Sequence, residues 1–114
     1  MKRSTIRRAG PDPAYDEFRR QILERDDWAC RFWDYTDPSP SVPLACGGGL
    51  EVHHIVNRRA WPAGRMRPDN AVTLCGLSHH AWVTAHPAAA ELIGLHRRYS
   101  TNLDSSAVTP KEGT

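Results

Sequence analysis

The chain has 114 residues, a length that accommodates one domain of ordinary size and excludes a second. Its 15 basic and 13 acidic side chains give a net charge of +2, too small to indicate nucleic-acid binding by itself. No run of about 20 apolar residues predicts a membrane span and no secretory leader is recognisable, so we expect a cytoplasmic protein without membrane contact. Three cysteines cannot all pair within one chain, which favours metal ligands or free thiols.

The first half of the chain predicts one helix between two irregular segments. Residues 1–13 are basic and lack apolar periodicity, which predicts a flexible arm that is either a frayed terminus or a phosphate contact. Apolar side chains at helical spacing then predict an amphipathic helix from Ala14 to about Asp26. The proline-rich stretch from Trp28 to Cys46 predicts a long loop.

The second half predicts two short strands followed by two helices. The strands are expected at Leu50–Val52 and Ala71–Leu74, with a loop rich in proline and glycine between them. One or two helical turns are expected from His79 to about His86, and Pro87 opens a last helix that extends through Leu95. Residues 100–114 are polar and lack a pattern, which predicts a disordered tail.

Histidine and cysteine provide the clearest chemical signal. Five of the six histidines lie between His53 and His86. Imidazole and thiolate are the ligands that zinc prefers, and four of them close a structural site. Cys75 and His79 stand four apart, which suits a tight knuckle, and Cys30 and Cys46 would complete a Cys3His set. The alternative is three small buried thiols without a metal.

The adjacent pair His53 and His54 is the second chemical feature. Successive side chains of a strand point to opposite faces, so one imidazole can bind a metal while its neighbour addresses an attacking water. Metal-assisted phosphodiester hydrolysis requires this division of roles. The alternative is that one ring is a ligand and the other merely packs.

Four segments in this order resemble the HNH endonucleases, and the first resembles the lead-in of many phage-encoded members. They are Ile22–Cys30, Leu50–Ile55, Arg67–Cys75 and His79–Val83. The resemblance implies a small α+β fold with a ββα-metal (His-Me finger) core. A structural zinc would stabilise this core, and an N-terminal and a C-terminal helix would flank it. It also assigns residues 14–99 to the nuclease domain.

The resemblance also implies a role for each matching residue. His54 matches the general base that activates water, and Asn70 matches the asparagine whose amide bonds the loop between the strands and so orients the base. His53 and His80 match ligands of one catalytic divalent cation, which would be Mg, Mn, Ni or Zn. The Cys3His set corresponds to the structural zinc.

Two positions depart from the family pattern. Many relatives have a cysteine where His79 stands, so the zinc knuckle would be mixed. Many also have a metal-binding histidine where this chain has Thr84, and the nearest imidazole is His86. His80 and His86 do not share one helix face, so we expect the helix to end before Pro87 and let His86 supply a third ligand. The alternative is two histidines completed by water and a DNA phosphate.

The basic residues around the metal region predict contacts with DNA, because the guanidinium fork matches phosphate oxygens. They are Arg58, Arg59, Arg65 and Arg67. A solvated basic loop is the alternative.

Three functions are compatible with these features. The favoured one is a metal-dependent DNA endonuclease. The others are a zinc-stabilised nucleic-acid-binding module with a decayed nuclease site, and a zinc-stabilised interaction protein. A purely structural knuckle needs neither the His53–His54 pair nor Asn70, which favours the nuclease. Resemblance to phage members suggests action beside a DNA-packaging terminase in a bacterial cytoplasm, with restriction and homing as other contexts.

Overall fold

This computed structural model describes residues 11–104 of the chain. They fold into three α-helices and a two-stranded antiparallel sheet. The helices are α1 (Pro13–Arg25), α2 (His79–Ala85) and α3 (Pro87–Leu92), and the strands are β1 (Leu50–His54) and β2 (Ala71–Cys75). In the sheet Leu50 lies opposite Cys75, and His54 lies opposite Ala71. The predicted α+β class is confirmed. None of the described helices is long and apolar enough to cross a membrane.

The strand β2 forms the centre of the core and is buried at all five positions. Because side chains alternate along a strand, its two faces contact different helices. Ala71 packs against Phe18 of α1, whereas Val72 and Leu74 pack in a cluster with Val83 of α2. Because α1 packs on one face of β2 and α2 packs on the other, the end of β2 is held in place relative to the start of α2.

The last helix is shorter than the pattern predicted. The prediction extended it from Pro87 through Leu95, but α3 ends at Leu92. Gly94 adopts a φ of 88°, a left-handed conformation that glycine tolerates best, and the chain leaves the helix there. The N–H of Leu95 then donates to the carbonyl of Ala90 at 2.9 Å, and Leu95 returns its side chain to the core.

The ends of the domain also differ from the predicted boundaries. Pro13 already belongs to α1, because Asp12 caps the helix by accepting the N–H of Tyr15. Of the predicted arm, residues 1–10 lie outside the described part of the chain. The predicted disordered tail overlaps a 3₁₀ turn at Thr101–Asp104. In this turn Leu103 is buried against apolar side chains of the loop between β1 and β2. A single apolar residue gives no periodic signal, so the sequence pattern does not predict this turn. Residues 105–114 lie outside the described part of the chain.

A buried carboxylate fastens the end of α1 to the outer edge of β2. Asp26 accepts the N–H of Thr73 at 3.0 Å, and the carbonyl of Thr73 accepts the N–H of Arg31 at 2.9 Å. Arg25 donates to both oxygens of Asp26 and to the carbonyl of Ala71. Burial raises the pKa of Asp26, but the hydrogen bonds from Arg25 and Thr73 outweigh it, so the pKa lies below the usual 3.8.

We expect Asp26→Ala to lower the free energy of unfolding by about 1–3 kcal/mol, because the buried N–H of Thr73 loses its acceptor. Since the folded-state pKa is lower than the unfolded value of 3.8, the ionised carboxylate stabilises the fold above about pH 4, and this contribution disappears as the pH falls through the folded pKa. Urea denaturation at pH 7 and pH 3 measures both effects, with the exposed Asp37→Ala as control. Equal stability of the two variants at pH 7 would contradict the assignment.

Candidate metal centre and histidine cleft

The four residues predicted to bind zinc converge on one point. The ligand atoms of Cys30, Cys46, Cys75 and His79 all lie within 4.8 Å of one another. Nδ1 of His79 is 3.5, 3.7 and 3.3 Å from the sulfurs of Cys30, Cys46 and Cys75. A tetrahedral zinc, with bonds of about 2.3 Å to sulfur and about 2.0 Å to nitrogen, separates these atoms by about 3.5 Å. The four side chains are therefore positioned to hold a metal ion, and their spacing is consistent with structural zinc.

Backbone hydrogen bonds bring the long loop to this point. Cys75 ends β2 and His79 opens α2, so two ligands flank a tight turn. The N–H of Leu77 in this turn donates to the carbonyl of Gly47 at 2.9 Å, which places the neighbouring Cys46 beside the turn. This cross-link explains how a ligand from a proline-rich loop reaches the centre.

The ring of His79 is held in the orientation that metal binding needs. Its Nε2 donates to the carbonyl of Pro43 at 2.7 Å, so Nδ1 keeps its lone pair toward the sulfurs. The ring is fully buried and stacks on Phe32, with 4.0 Å between ring centres. Packing and hydrogen bonding thus hold the ring so that Nδ1 faces the three sulfurs.

The thiols of the cluster differ in acidity. Burial, with contributions from the sulfurs of Cys75 and Cys30, raises the pKa of Cys46 to about 12. Burial acts in the same direction on Cys75, but the N–H groups of His79 and Gly47 and the other two thiols lower its pKa to about 7. Because thiolate is the form that binds metal, uptake of a metal at neutral pH releases the proton of Cys46.

A cleft of about 500 Å³ opens at the end of β1, next to α2. Its walls include His53, His54, Asn57, Arg58, His80, Thr84 and His96. The two adjacent histidines were expected on opposite faces of the strand, yet both line this cleft. His54 is the last residue of β1, and the cleft lies across this end of the strand.

His54 has one ring nitrogen bound and one left as an acceptor. Its Nε2 lies 2.8 Å from the carbonyl oxygen of Arg65; a carbonyl only accepts, so Nε2 carries the proton and Nδ1 has the lone pair. Burial, assisted by the charges of Arg58 and Arg65, lowers the pKa of His54 below 6.5 despite the hydrogen bond to that carbonyl. The imidazole is therefore neutral at neutral pH, which is the form that can accept a proton.

His53 and His80 form a pair of rings across the cleft, 5.2 Å apart between ring centres. Nε2 of His53 donates to the carbonyl of Leu95 at 2.5 Å, and Nδ1 of His80 lies 2.5 Å from a carboxylate oxygen of Glu51. Burial is the main cause that lowers the pKa of His53 to about 4. Two imidazoles bound to one ion at about 2.1 Å have ring centres about 5 Å apart, and the separation of this pair matches that value.

The buried Asn70 bonds the loop between the strands, as the resemblance implied. Its Oδ1 accepts the N–H of Val56 at 2.8 Å, and its Nδ2 lies 3.1 Å from the carbonyls of both Val56 and Gly64. The side chain is fully buried, so these bonds face no competition from water. Its role in catalysis stays a prediction.

The structure places His86 outside the cleft. The helix ends before Pro87 as expected, but Nδ1 of His86 donates to the carbonyl of Trp82 at 3.0 Å and the ring stacks on that indole. His96 lines the cleft instead, on a segment in which the N–H of Arg97 donates to the carbonyl of Ile55, the residue after β1. Among residues 11–104, only the Cys3His set brings three or more metal-ligand atoms within 4.8 Å, so His86 does not join His53 and His80 here.

The four arginines predicted to bind DNA divide into two pairs. Arg65 forms an ion pair with Asp12, and Arg67 lies 3.3 Å from Asp69. Arg58 lines the cleft, and Arg59 lies with it in the wall of a second, basic depression. Within the described part of the chain, neither Arg58 nor Arg59 has a carboxylate at ion-pair distance. Of these two, the guanidinium of Arg58 lies over the ring of Tyr15, 5.6 Å from its centre.

Comparisons of this chain with protein-family models, with curated proteins and with solved structures found no match. The resemblance to the HNH endonucleases therefore depends on the sequence motifs alone. The metal centre and the cleft are defined by their own geometry.

We expect the purified protein to contain one zinc per chain and to unfold when a strong chelator removes it, because a structural zinc contributes folding free energy directly. Cys75→Ala should show the same loss of fold. Zinc affinity should decrease as the pH is lowered, by about tenfold per pH unit for each proton that binding displaces. Metal analysis and circular dichroism measure these effects, with zinc re-addition as control. A folded protein without zinc would contradict this assignment.

Proposed function

We propose that this protein is a metal-dependent DNA endonuclease of the HNH type, with the histidine cleft as its active site and the Cys3His cluster as a structural zinc site. The observation that carries the proposal is the His54 ring. Its Nε2–H is held by the Arg65 carbonyl, and its Nδ1 is left as a proton acceptor at an open cleft. A purely structural knuckle requires no such base. The order β1, β2, α2 supports a ββα-metal core, since His54 ends β1, Asn70 directly precedes β2 and His80 lies on α2.

In this mechanism Nδ1 of His54 removes a proton from water as the water attacks the phosphorus. The carbonyl of Arg65 stabilises the imidazolium that forms, because it accepts a hydrogen bond from Nε2–H, the opposite nitrogen of the ring. His53 and His80 would hold a divalent cation, whose charge would stabilise the phosphate oxygens and the leaving oxygen as the bond of that oxygen to phosphorus breaks. Arg58 in the wall of the cleft is available to hold a neighbouring phosphate.

Asn70 positions the base through the loop backbone. Its amide binds the carbonyl of Gly64, and the next carbonyl in the chain, that of Arg65, holds the ring of His54. Gly64 packs so closely on Trp61 that an added Cβ would lie 2.2 Å from the indole. The loop therefore has little freedom to move the carbonyl that sets the tautomer of His54.

Several parts of the proposal depend on the resemblance alone. They are the role of DNA as substrate, the action beside a phage terminase, and the cytoplasmic location in a bacterial host. Thr84 in the cleft, where many relatives have a histidine ligand, favours a second candidate. This is a nucleic-acid-binding module whose nuclease site has decayed.

We expect His54→Ala to reduce the rate of plasmid nicking by about 10²–10⁴-fold, the usual cost of losing a general base. DNA affinity and folding should be retained, because the ring acts on water. His86→Ala is the matched control and should cut like the parent, since its ring lies outside the cleft. The assay uses Mg²⁺, Mn²⁺, Ni²⁺ and Zn²⁺ in turn. A parent that binds DNA but does not cut with any of them would support the decayed module instead.

We expect the double variant Arg58→Ala, Arg59→Ala to weaken DNA binding and flatten its salt dependence. Each lost phosphate contact should reduce the slope of log K against log salt by about 0.9. Arg67→Ala is the control and should have a smaller effect, because its guanidinium is already paired with Asp69. Fluorescence anisotropy at several salt concentrations gives the slopes. Equal slopes for the two variants would contradict the division of the arginines.

A further inference from the structure

Glu51 lies in the Leu50–Ile55 segment but has no role assigned by the resemblance, and its side chain contacts His80 beside the cleft. Its Oε1 lies 2.5 Å from Nδ1 of the ring. An ionised carboxylate only accepts hydrogen bonds, so Nδ1 carries a proton, and Nε2 is the ring nitrogen that can offer a lone pair to a metal. Glu51 lies on β1 three positions before His54, and His80 is the second residue of α2. The contact therefore joins the strand of the base to the helix of the metal ligand.

The turn of the metal centre leaves room for this carboxylate. A Cβ added at Gly76 would lie 2.7 Å from Oε2 of Glu51, so a side chain at that position would displace the carboxylate. Gly76 directly follows Cys75 in the tight turn that ends at His79. The same turn that holds two ligands of the Cys3His cluster thus sets the space in which Glu51 reaches His80.

The contact itself contributes little to stability, because the side chain of Glu51 is 54% exposed. Its effect on the ring is more specific. His53 and His54 donate to the backbone carbonyls of Leu95 and Arg65, whereas His80 donates to a side-chain carboxylate. A carboxylate behind a metal-binding imidazole fixes the tautomer and raises the basicity of the free nitrogen.

We propose that Glu51 is a positioning residue for the catalytic cation, because it holds His80 in the tautomer that leaves Nε2 as the ligand atom. This inference rests on the proposed function of the cleft and extends it to a residue on the sheet. Loss of such a partner reduces metal affinity by about 10–100-fold in comparable sites. Glu51 acts through His80 and does not itself bind the cation.

The test uses the zinc-loaded protein and Mn²⁺ alone as the probe. Two-bond ¹H–¹⁵N correlation spectra before Mn²⁺ addition report the tautomer of His80. The parent should show the Nδ1–H form, and Glu51→Ala should shift toward Nε2–H. Calorimetric Mn²⁺ affinity should fall about 10–100-fold in Glu51→Ala and less in Glu51→Gln, which keeps an uncharged acceptor.

Two further variants separate the contact from the charge. Gly76→Ala should displace the carboxylate without removing it, and it should weaken Mn²⁺ binding in the same direction as Glu51→Ala. Glu24→Ala is the matched control, since it removes an equal charge from a surface pair with Arg20 on α1 and should change neither readout. Zinc content and circular dichroism of every variant exclude unfolding as the cause.

The outcomes distinguish this inference from the proposed function. A parent that binds Mn²⁺ through His53 and cuts DNA, with Glu51→Ala unchanged in tautomer and affinity, overturns the role of Glu51 alone. A parent that binds no Mn²⁺ in the cleft overturns the proposed function and the role of Glu51 together. A tautomer shift with an affinity loss in Glu51→Ala and Gly76→Ala, but not in Glu24→Ala, supports the inference.

Discussion

The short turn between Cys75 and His79 is the constraint on which the rest of the structure depends. It reverses the chain from a fully buried strand into α2 and supplies two of the four ligands of the metal centre. Because α2 begins inside this turn, the position of His80 follows from the position of His79. A metal bound at the cluster would therefore fix the helix that forms one wall of the cleft, which links folding to the chemistry proposed there.

Hydrogen-bond acceptors decide which nitrogen each imidazole presents. His79, His54 and His53 donate to backbone carbonyls, and His80 donates to a carboxylate. In each ring one nitrogen is occupied and the other keeps its lone pair. This arrangement costs little reorganisation when a proton or a metal arrives, because the rings are already oriented. The loop and sheet backbone thus serve as the orienting scaffold of the site.

The secondary structure and the metal cluster could be predicted from sequence because both have local signals. Helical spacing of apolar residues located α1, and a thiolate and an imidazole four residues apart indicated the turn at Cys75. The composition of the cleft could not be predicted. His96 reaches it through a long-range hydrogen bond between its neighbour Arg97 and Ile55, the residue after β1, and no local spacing encodes that contact. His86 instead donates to the carbonyl four residues back in its own helix.

The contacts that fasten α1 to the sheet have a consequence for how the protein behaves at high concentration. A two-stranded sheet exposes the outer edges of both strands, and an open edge is a template for pairing with another molecule. At the centre of β2 this edge is already occupied, because Asp26 accepts the N–H of Thr73 and Arg31 donates to its carbonyl. The most apolar strand of the domain is therefore closed to strand addition at this point, which opposes aggregation through β2.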